Sequence, residues 1–108
     1  MNLQTEIFGD VIVVHTPEEL GTEQCSAFEA WIPSLDRRNM VLDLDATETI
    51  DSTGLESLLS VQDRLRDMGG EAKIATTNST NRKILEITRL DQQLEVFESV
   101  VEAVKSFY

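Results

Sequence analysis

Hydrophobic positions change their spacing along the chain, and each change marks a boundary between predicted elements. Residues 3–8 alternate loosely between apolar and polar side chains, and residues 11–14 form an apolar run of Val and Ile. Gly9-Asp10 lies between them and is typical of a tight turn, so this region predicts a β-hairpin. A further apolar run at residues 40–44 predicts a mostly buried strand.

Apolar residues at helical spacing follow the hairpin. The first such stretch predicts a helix from Thr22 that Pro33 limits near its end, with an apolar stripe of Cys25, Phe28, Ile32 and Leu35. Three more helices are predicted to begin near Ser52, after Asn78-Ser79 and at Ser99. Short strands are predicted at 73–75 and 94–97. Strands separated by helices indicate an α/β fold with mainly parallel pairs, and the opening hairpin makes the sheet mixed.

Charge is the one extreme property of the composition. The 108 residues predict a single domain, 1–108, with twenty acidic residues against nine basic ones and a net charge of −11. No Lys or Arg precedes Arg37, and none lies between Arg38 and Arg64. Such a surface repels phosphate backbones and anionic lipids, so the sequence argues against nucleic acid or direct membrane insertion, and a basic protein surface is a better candidate partner. The simpler interpretation is that the acidity keeps a small protein soluble.

Other features of the chain favour a cytoplasmic protein. The apolar run Val11–Val14 is far too short to span a bilayer, and the first ten residues have neither a basic leader nor an apolar signal core. Cys25 is the only cysteine, which excludes an internal disulfide and a multi-cysteine metal cluster.

The segment Asp51-Ser52-Thr53-Gly54 carries the candidate chemistry, at the point where a loop becomes a helix. Free N–H groups of a first helical turn attract anions and can steady an added phosphate. Gly54 would let the backbone come close to a docked partner. A phosphoserine would add about −1.5 to −2 units of charge to an already acidic region.

Ordinary helix capping explains the same residue types. Ser, Thr and Asp are preferred N-caps, and Thr53 with Glu56 matches the T-x-x-E capping box. The two roles are compatible if Thr53 caps the helix while Ser52 faces outward. On these residues alone, capping is the simpler interpretation.

In its wider context this turn resembles the STAS family, whose best-known members are bacterial anti-sigma factor antagonists. The central similarity is V-L-D-L at 41–44 followed by I-D-S-T-G-L at 50–55, close to the family's D-S-[ST]-G-L signature. Similarity continues through Gly69-Gly70 and through residues 84–91, and it covers roughly Val11 to Val104.

The resemblance implies a mixed, mostly parallel sheet with about four helices packed mainly on one face. It also implies that Ser52, or less favourably Thr53, is phosphorylated by an anti-sigma factor that is itself a serine kinase. Asp51, Thr53 and Gly54 would support the site. The unphosphorylated antagonist binds this partner, phosphorylation breaks the complex, and a phosphatase restores it. A protein of this type is a ligand and a substrate, not an enzyme, and needs no cofactor.

Two departures from the family pattern concern the partner surface and one turn. Pro17 and Leu20 stand near where many members carry Gly and Asp in a segment that contributes to the binding face, and Arg89 stands where Gly is common. We expect partner contacts from this segment and from the polar face of the helix after Ser52, namely Glu18, Glu19, Glu56, Ser57 and Ser60.

Alternative functions fit the sequence less well. His15 is the only histidine, and no G-x-S-x-G elbow surrounds Ser52, so a hydrolase is disfavoured and so is a metal site. His15 is expected at a strand end or on the surface, Cys25 in the core, and Trp31 in packing rather than at an interface. A constitutive scaffold subunit of a larger transport or stress-sensing complex, or a sensor of a nucleotide or lipid, remains an alternative.

Overall fold

The predicted hairpin forms one edge of the sheet. Strand β1 (Thr5–Phe8) pairs antiparallel with β2 (Val11–His15), and Gly9 between them has a φ of 63°, a left-handed conformation that glycine adopts without strain. The computed structural model describes residues 1–108 without a gap. The remaining elements are β3 (Glu19–Leu20), α1 (Thr22–Trp31), β4 (Asn39–Asp43), β5 (Thr49–Ile50), α2 (Ser52–Asp67), β6 (Glu71–Ala75), α3 (Ser79–Ile87), β7 (Val96–Phe97) and α4 (Val100–Lys105).

Five strands make the main sheet, in the order β1-β2-β4-β6-β7. All pairs beyond the hairpin are parallel, which confirms the predicted mixed, mostly parallel sheet. The strands β3 and β5 form a separate two-stranded parallel sheet that the sequence did not predict. Each has only two residues, too few to show a period-2 pattern.

Three of the four helices cover one face of the sheet. Helices α1, α2 and α3 contribute Phe28, Leu58 and Leu85 to a cluster of 17 buried residues that includes Ile12, Leu42 and Ile74 of the strands. Helix α4 packs on the opposite face through Ala103, over Val11, Val13, Val41 and Ala75. The prediction of helices mainly on one face is therefore confirmed, with α4 as the exception.

The ends of helices α1 and α3 each show a feature that the sequence alone does not explain. Helix α1 ends at Trp31, and Pro33 lies in a following 3₁₀ turn, Ile32–Leu35, rather than within the α-helix. Arg89 has a φ of 63° after α3. This left-handed conformation strains residues with a side chain, which accounts for glycine being common at the equivalent position. None of the helices has the length and apolar character needed to cross a bilayer.

Candidate functional site

The small β3–β5 sheet places the beginnings of α1 and α2 side by side. Its parallel register pairs Leu20 with Ile50, and each strand leads directly into the N-cap of a helix. Gly21 follows Leu20 as the N-cap of α1, and Asp51 follows Ile50 as the N-cap of α2. The signature turn therefore lies next to the segment that begins α1, although 29 residues separate Thr22 from Asp51 in the chain.

Asp51 links the N-terminal ends of α1 and α2 through hydrogen bonds to its carboxylate. Its Oδ1 accepts a hydrogen bond from the Gly54 N–H at 2.9 Å, and its Oδ2 accepts from the Thr22 N–H at 3.1 Å and the Thr22 hydroxyl at 3.3 Å. The Gly54 hydrogen bond is the main reason that the pKa of Asp51 lies below its ordinary value of 3.8. Desolvation opposes this effect, and the Thr22 and Thr53 donors lower the pKa further. Asp51 is thus held as a carboxylate with a structural role.

Replacing Asp51 by asparagine should lower the melting temperature at pH 7 by about 5 °C, because Asn loses the charge-assisted bonds to both helices. A carboxyl group with a lowered folded-state pKa stabilises the fold above its unfolded pKa, and this contribution disappears as the pH falls through the folded pKa. The difference between wild type and D51N should therefore shrink on acidification, in melts followed from pH 7 to about pH 2.5.

The control for this experiment is Asp63→Asn, which removes an exposed charge from the same helix. A D51N deficit that persists unchanged at low pH, or that D63N reproduces, would contradict the role of the Asp51 carboxylate.

Thr53 and Gly54 do not act as the sequence predicted. The N-cap is Asp51, and the predicted Thr53–Glu56 capping box is wrong because α2 already begins at Ser52. The Thr53 hydroxyl accepts a hydrogen bond from the Thr22 hydroxyl at 3.2 Å. Gly54 is buried, and a Cβ at this position would overlap the backbone carbonyl of Leu20. Its close backbone approach is internal, not toward a docked partner.

Ser52 differs from its neighbours in being free. It is the first residue of α2, its side chain is exposed, and its hydroxyl makes no hydrogen bond within the chain. Asp51, Thr53 and Gly54 are all committed to contacts between α2 and the segment that begins α1. The turn therefore presents one uncommitted nucleophilic group to solvent.

A polar surface groove adjoins this turn. It has a volume of about 470 Å³ and is lined by eight residues, of which only Ile50 is hydrophobic: Glu19, Gly21, Thr22, Glu23, Gln24, Thr49, Ile50 and Asp51. No Lys or Arg lines it, and the side chains of Glu19 and Glu23 are not paired with a cation. The expected partner contacts Glu18 and Glu19 are exposed, Glu19 within the groove.

The predicted polar face of α2 is only partly correct. Glu56 and Ser60 are exposed, as a partner contact requires. Ser57 is 1% exposed and donates a hydrogen bond to Oε2 of Glu29 on α1 at 2.8 Å. The prediction for Ser57 is therefore wrong. Ser57 faces α1, and polarity alone does not distinguish a small side chain at a helix–helix contact from one that faces solvent.

The other residues singled out in the sequence are not part of this turn. His15 lies at the end of β2, where its ring contacts the side chains of Glu6 and Asp43 rather than Ser52. Cys25 is buried in the main core, as predicted. Trp31 is half-buried and packs against the same core, which also agrees with the prediction.

Comparison with known proteins places this site in a family context. The model of the STAS domain matches residues 2–103. A candidate anti-sigma factor antagonist of Thermotoga neapolitana is 25% identical over 104 residues, which cover 93% of this chain and 92% of the relative. The crystal structure of a candidate anti-sigma factor antagonist of Thermotoga maritima superimposes with a TM-score of 0.86 at 22% identity, covering 96% of this chain and 92% of the other.

More distant structures share the fold across different roles. The phosphorylated form of the Bacillus cell-fate determinant SpoIIAA gives a TM-score of 0.71 at 17% identity, covering 99% of this chain and 100% of the other. A murine anion transporter, Slc26a9, gives 0.77 at 14% identity, with 92% of this chain matching 18% of the transporter. At these identities the likeness establishes the fold alone.

Proposed function

The chain belongs to the STAS domain family, and from this premise we propose that it is an anti-sigma factor antagonist whose binding is controlled by phosphorylation of Ser52. When Ser52 is unmodified, the surface around the turn binds an anti-sigma factor that is also a serine kinase. Phosphorylation breaks this complex, and a phosphatase restores it. The proteins of similar sequence and fold that are described as candidate anti-sigma factor antagonists support this class of partner.

The observation that carries the proposal is the different state of the two neighbouring hydroxyls. The Ser52 hydroxyl is exposed and without a partner in the chain, whereas the Thr53 hydroxyl bonds to Thr22 and its side chain is half-buried. A kinase that reached Thr53 would have to break this contact between the two helix starts. Ser52 is therefore the favoured acceptor.

The chemistry of transfer also depends on what surrounds Ser52. Its hydroxyl must lose a proton as its oxygen bonds to the γ-phosphorus of the kinase's nucleoside triphosphate, while the bond to the departing nucleoside diphosphate breaks. Asp51 is a poor base for this proton, because both of its oxygens already accept hydrogen bonds and its pKa is low. The kinase must supply the base and the nucleotide, while Asp51 keeps the shape of the turn. Ser52 thus acts as a substrate, in keeping with the non-enzymatic regulatory role typical of STAS domains.

Phosphorylation would add negative charge to a docking surface that is already acidic. No Lys or Arg lies between residues 38 and 64, and the groove beside the turn carries Glu19 and Glu23. The new dianion would meet helix N–H groups and carboxylates, and no Lys or Arg lines the adjoining groove. A partner surface that fits a neutral hydroxyl would have to strip water from this dianion, which opposes binding.

The experiment that tests the proposal is phosphosite mapping by mass spectrometry on the protein from its native cells, in growth and under stress. We expect phosphate on Ser52, with an occupancy that changes with condition, and none on Thr53. Phosphate on Thr53 alone would overturn the assignment of the acceptor. A chain unmodified in every condition would overturn the phosphorylation mechanism and favour a constitutive scaffold.

A further inference from the structure

We infer that His15, Glu6 and Asp43 form a proton-dependent clamp that fastens the edge strand β1 across β2 to the central strand β4. The His15 ring lies between the two carboxylates. Its Nε2 is 2.7 Å from Oε1 of Glu6, and its Nδ1 is 2.8 Å from Oδ2 of Asp43. This device is separate from the Ser52 site and does not depend on the function proposed for it.

Hydrogen-bond chemistry makes the clamp depend on a proton. An ionised carboxylate only accepts hydrogen bonds, so both contacts form together only when both ring nitrogens carry a proton. Neutral imidazole has one N–H and one lone pair. After deprotonation, one nitrogen lone pair would face a carboxylate oxygen at less than 3 Å, and that contact must open.

The contact that opens is the one to Glu6. The Asp43 side chain is 11% exposed, and its Oδ1 also accepts a hydrogen bond from the Asp45 N–H at 3.0 Å, so it is held in place. The Glu6 side chain is 48% exposed and has no other hydrogen bond. Release of Glu6 therefore removes a side-chain tie from β1, whose other side-chain tie is the Tyr108 hydroxyl donating to the Phe8 carbonyl at 2.9 Å.

The charged groups around the ring set the direction of the pH dependence. Burial by itself lowers the pKa of His15, but the hydrogen bonds and negative charges of Glu6 and Asp43 outweigh this effect and raise the pKa above 6.5. Asp45, two residues after β4, is a further carboxylate at this end of the sheet, and its Oδ1 accepts a hydrogen bond from the Thr77 N–H. Helix α4 packs on the same face of the sheet, and its charged residues Glu102 and Lys105 make no ion pair with the ring.

The pH dependence of the clamp follows from the raised pKa of His15 in the folded protein. The clamp is fully present below pH 6.5, where His15 is protonated in both the closed and the open state of β1. The stability that the clamp gives to β1 is lost as the pH rises through the folded-state pKa of His15. Strand β1 should therefore open more readily in mildly alkaline than in mildly acidic solution.

The test is an NMR titration of the His15 ring combined with hydrogen exchange of the His15 amide, which donates to the Gln4 carbonyl beside β1 at 3.0 Å. After correction for intrinsic exchange, the opening constant should rise with pH by the factor that separates the closed- and open-state acid constants of His15. In Glu6→Gln the ring pKa should move down toward 6.5 and this rise should shrink, because Gln can also donate to a neutral ring.

The matched control is Glu18→Gln, an exposed acid that does not contact the ring and should leave both readouts unchanged. A wild-type ring pKa at or below 6.5 would overturn the clamp. So would an Glu6→Gln variant whose pKa and pH-dependent opening match those of the wild type.

Discussion

Replacing Ser52 by aspartate is expected to weaken binding to the anti-sigma partner by at least about 100-fold, the scale seen when an uncompensated charge is placed in an interface. The aspartate would put a carboxylate where the exposed hydroxyl now makes no hydrogen bond within the chain. No Lys or Arg lines the adjoining groove, so the partner would bear most of the cost of desolvating the carboxylate. Calorimetric titration of the purified kinase with wild type and S52D measures the effect, and S52A should keep most of the affinity.

A matched control exists within the same fold. Ser79 is the first residue of α3, as Ser52 is of α2, and its side chain is also exposed and without a hydrogen bond. Ser79→Asp adds the same charge at an equivalent helix position away from the signature turn. Tight binding by S79D with loss of binding by S52D would support a local effect. Equal affinities for S52D and the wild type would contradict phosphorylation gating and favour a constitutive scaffold.

Replacing Gly54 by alanine should destabilise the fold by about 3 kcal/mol, the upper part of the range for overpacked sites. The added methyl group would overlap the carbonyl of Leu20, which is backbone within the β3–β5 pair and cannot rotate away. Helix propensity alone predicts the opposite sign, a gain of about 1 kcal/mol for alanine over glycine. Urea unfolding of G54A therefore distinguishes the tertiary contact from local preference.

The control for Gly54 is Ser60→Ala, at an exposed position of the same helix. It should leave the free energy of unfolding nearly unchanged or raise it by a few tenths of a kcal/mol. A G54A protein as stable as the wild type would show that β3 can move away from α2. That result would contradict the tight packing that we describe between the beginnings of α1 and α2.

Local patterns predicted most of the architecture. The hairpin followed from Gly9-Asp10 between two strand-like runs, and the helices from apolar residues three or four apart. These signals are read within one element, so they need no knowledge of what packs against it. The two-residue strands β3 and β5 gave no such signal, yet they align the starts of α1 and α2.

Local sequence patterns do not predict the roles of the individual residues in the signature turn. Asp51, Ser52 and Thr53 are all good N-caps by type, and the sequence favoured Thr53. Asp51 caps α2 by accepting from the Gly54 N–H, and its other oxygen accepts from the N–H and hydroxyl of Thr22 on another helix. The polar character of Ser57 predicts a position facing solvent, but its hydroxyl donates a hydrogen bond to Glu29 of α1.

Residue order and composition are enough to predict the α/β class, the exposed turn at Ser52 and the acidity of its surroundings. Three-dimensional contacts alone show which hydroxyl of the turn is free, why position 54 has no side chain, and that His15 bridges β1 and β4. Each of these depends on atoms more than eight residues apart in the chain meeting within a few ångströms. Long-range packing determines such contacts, and the local spacing of apolar residues does not predict them.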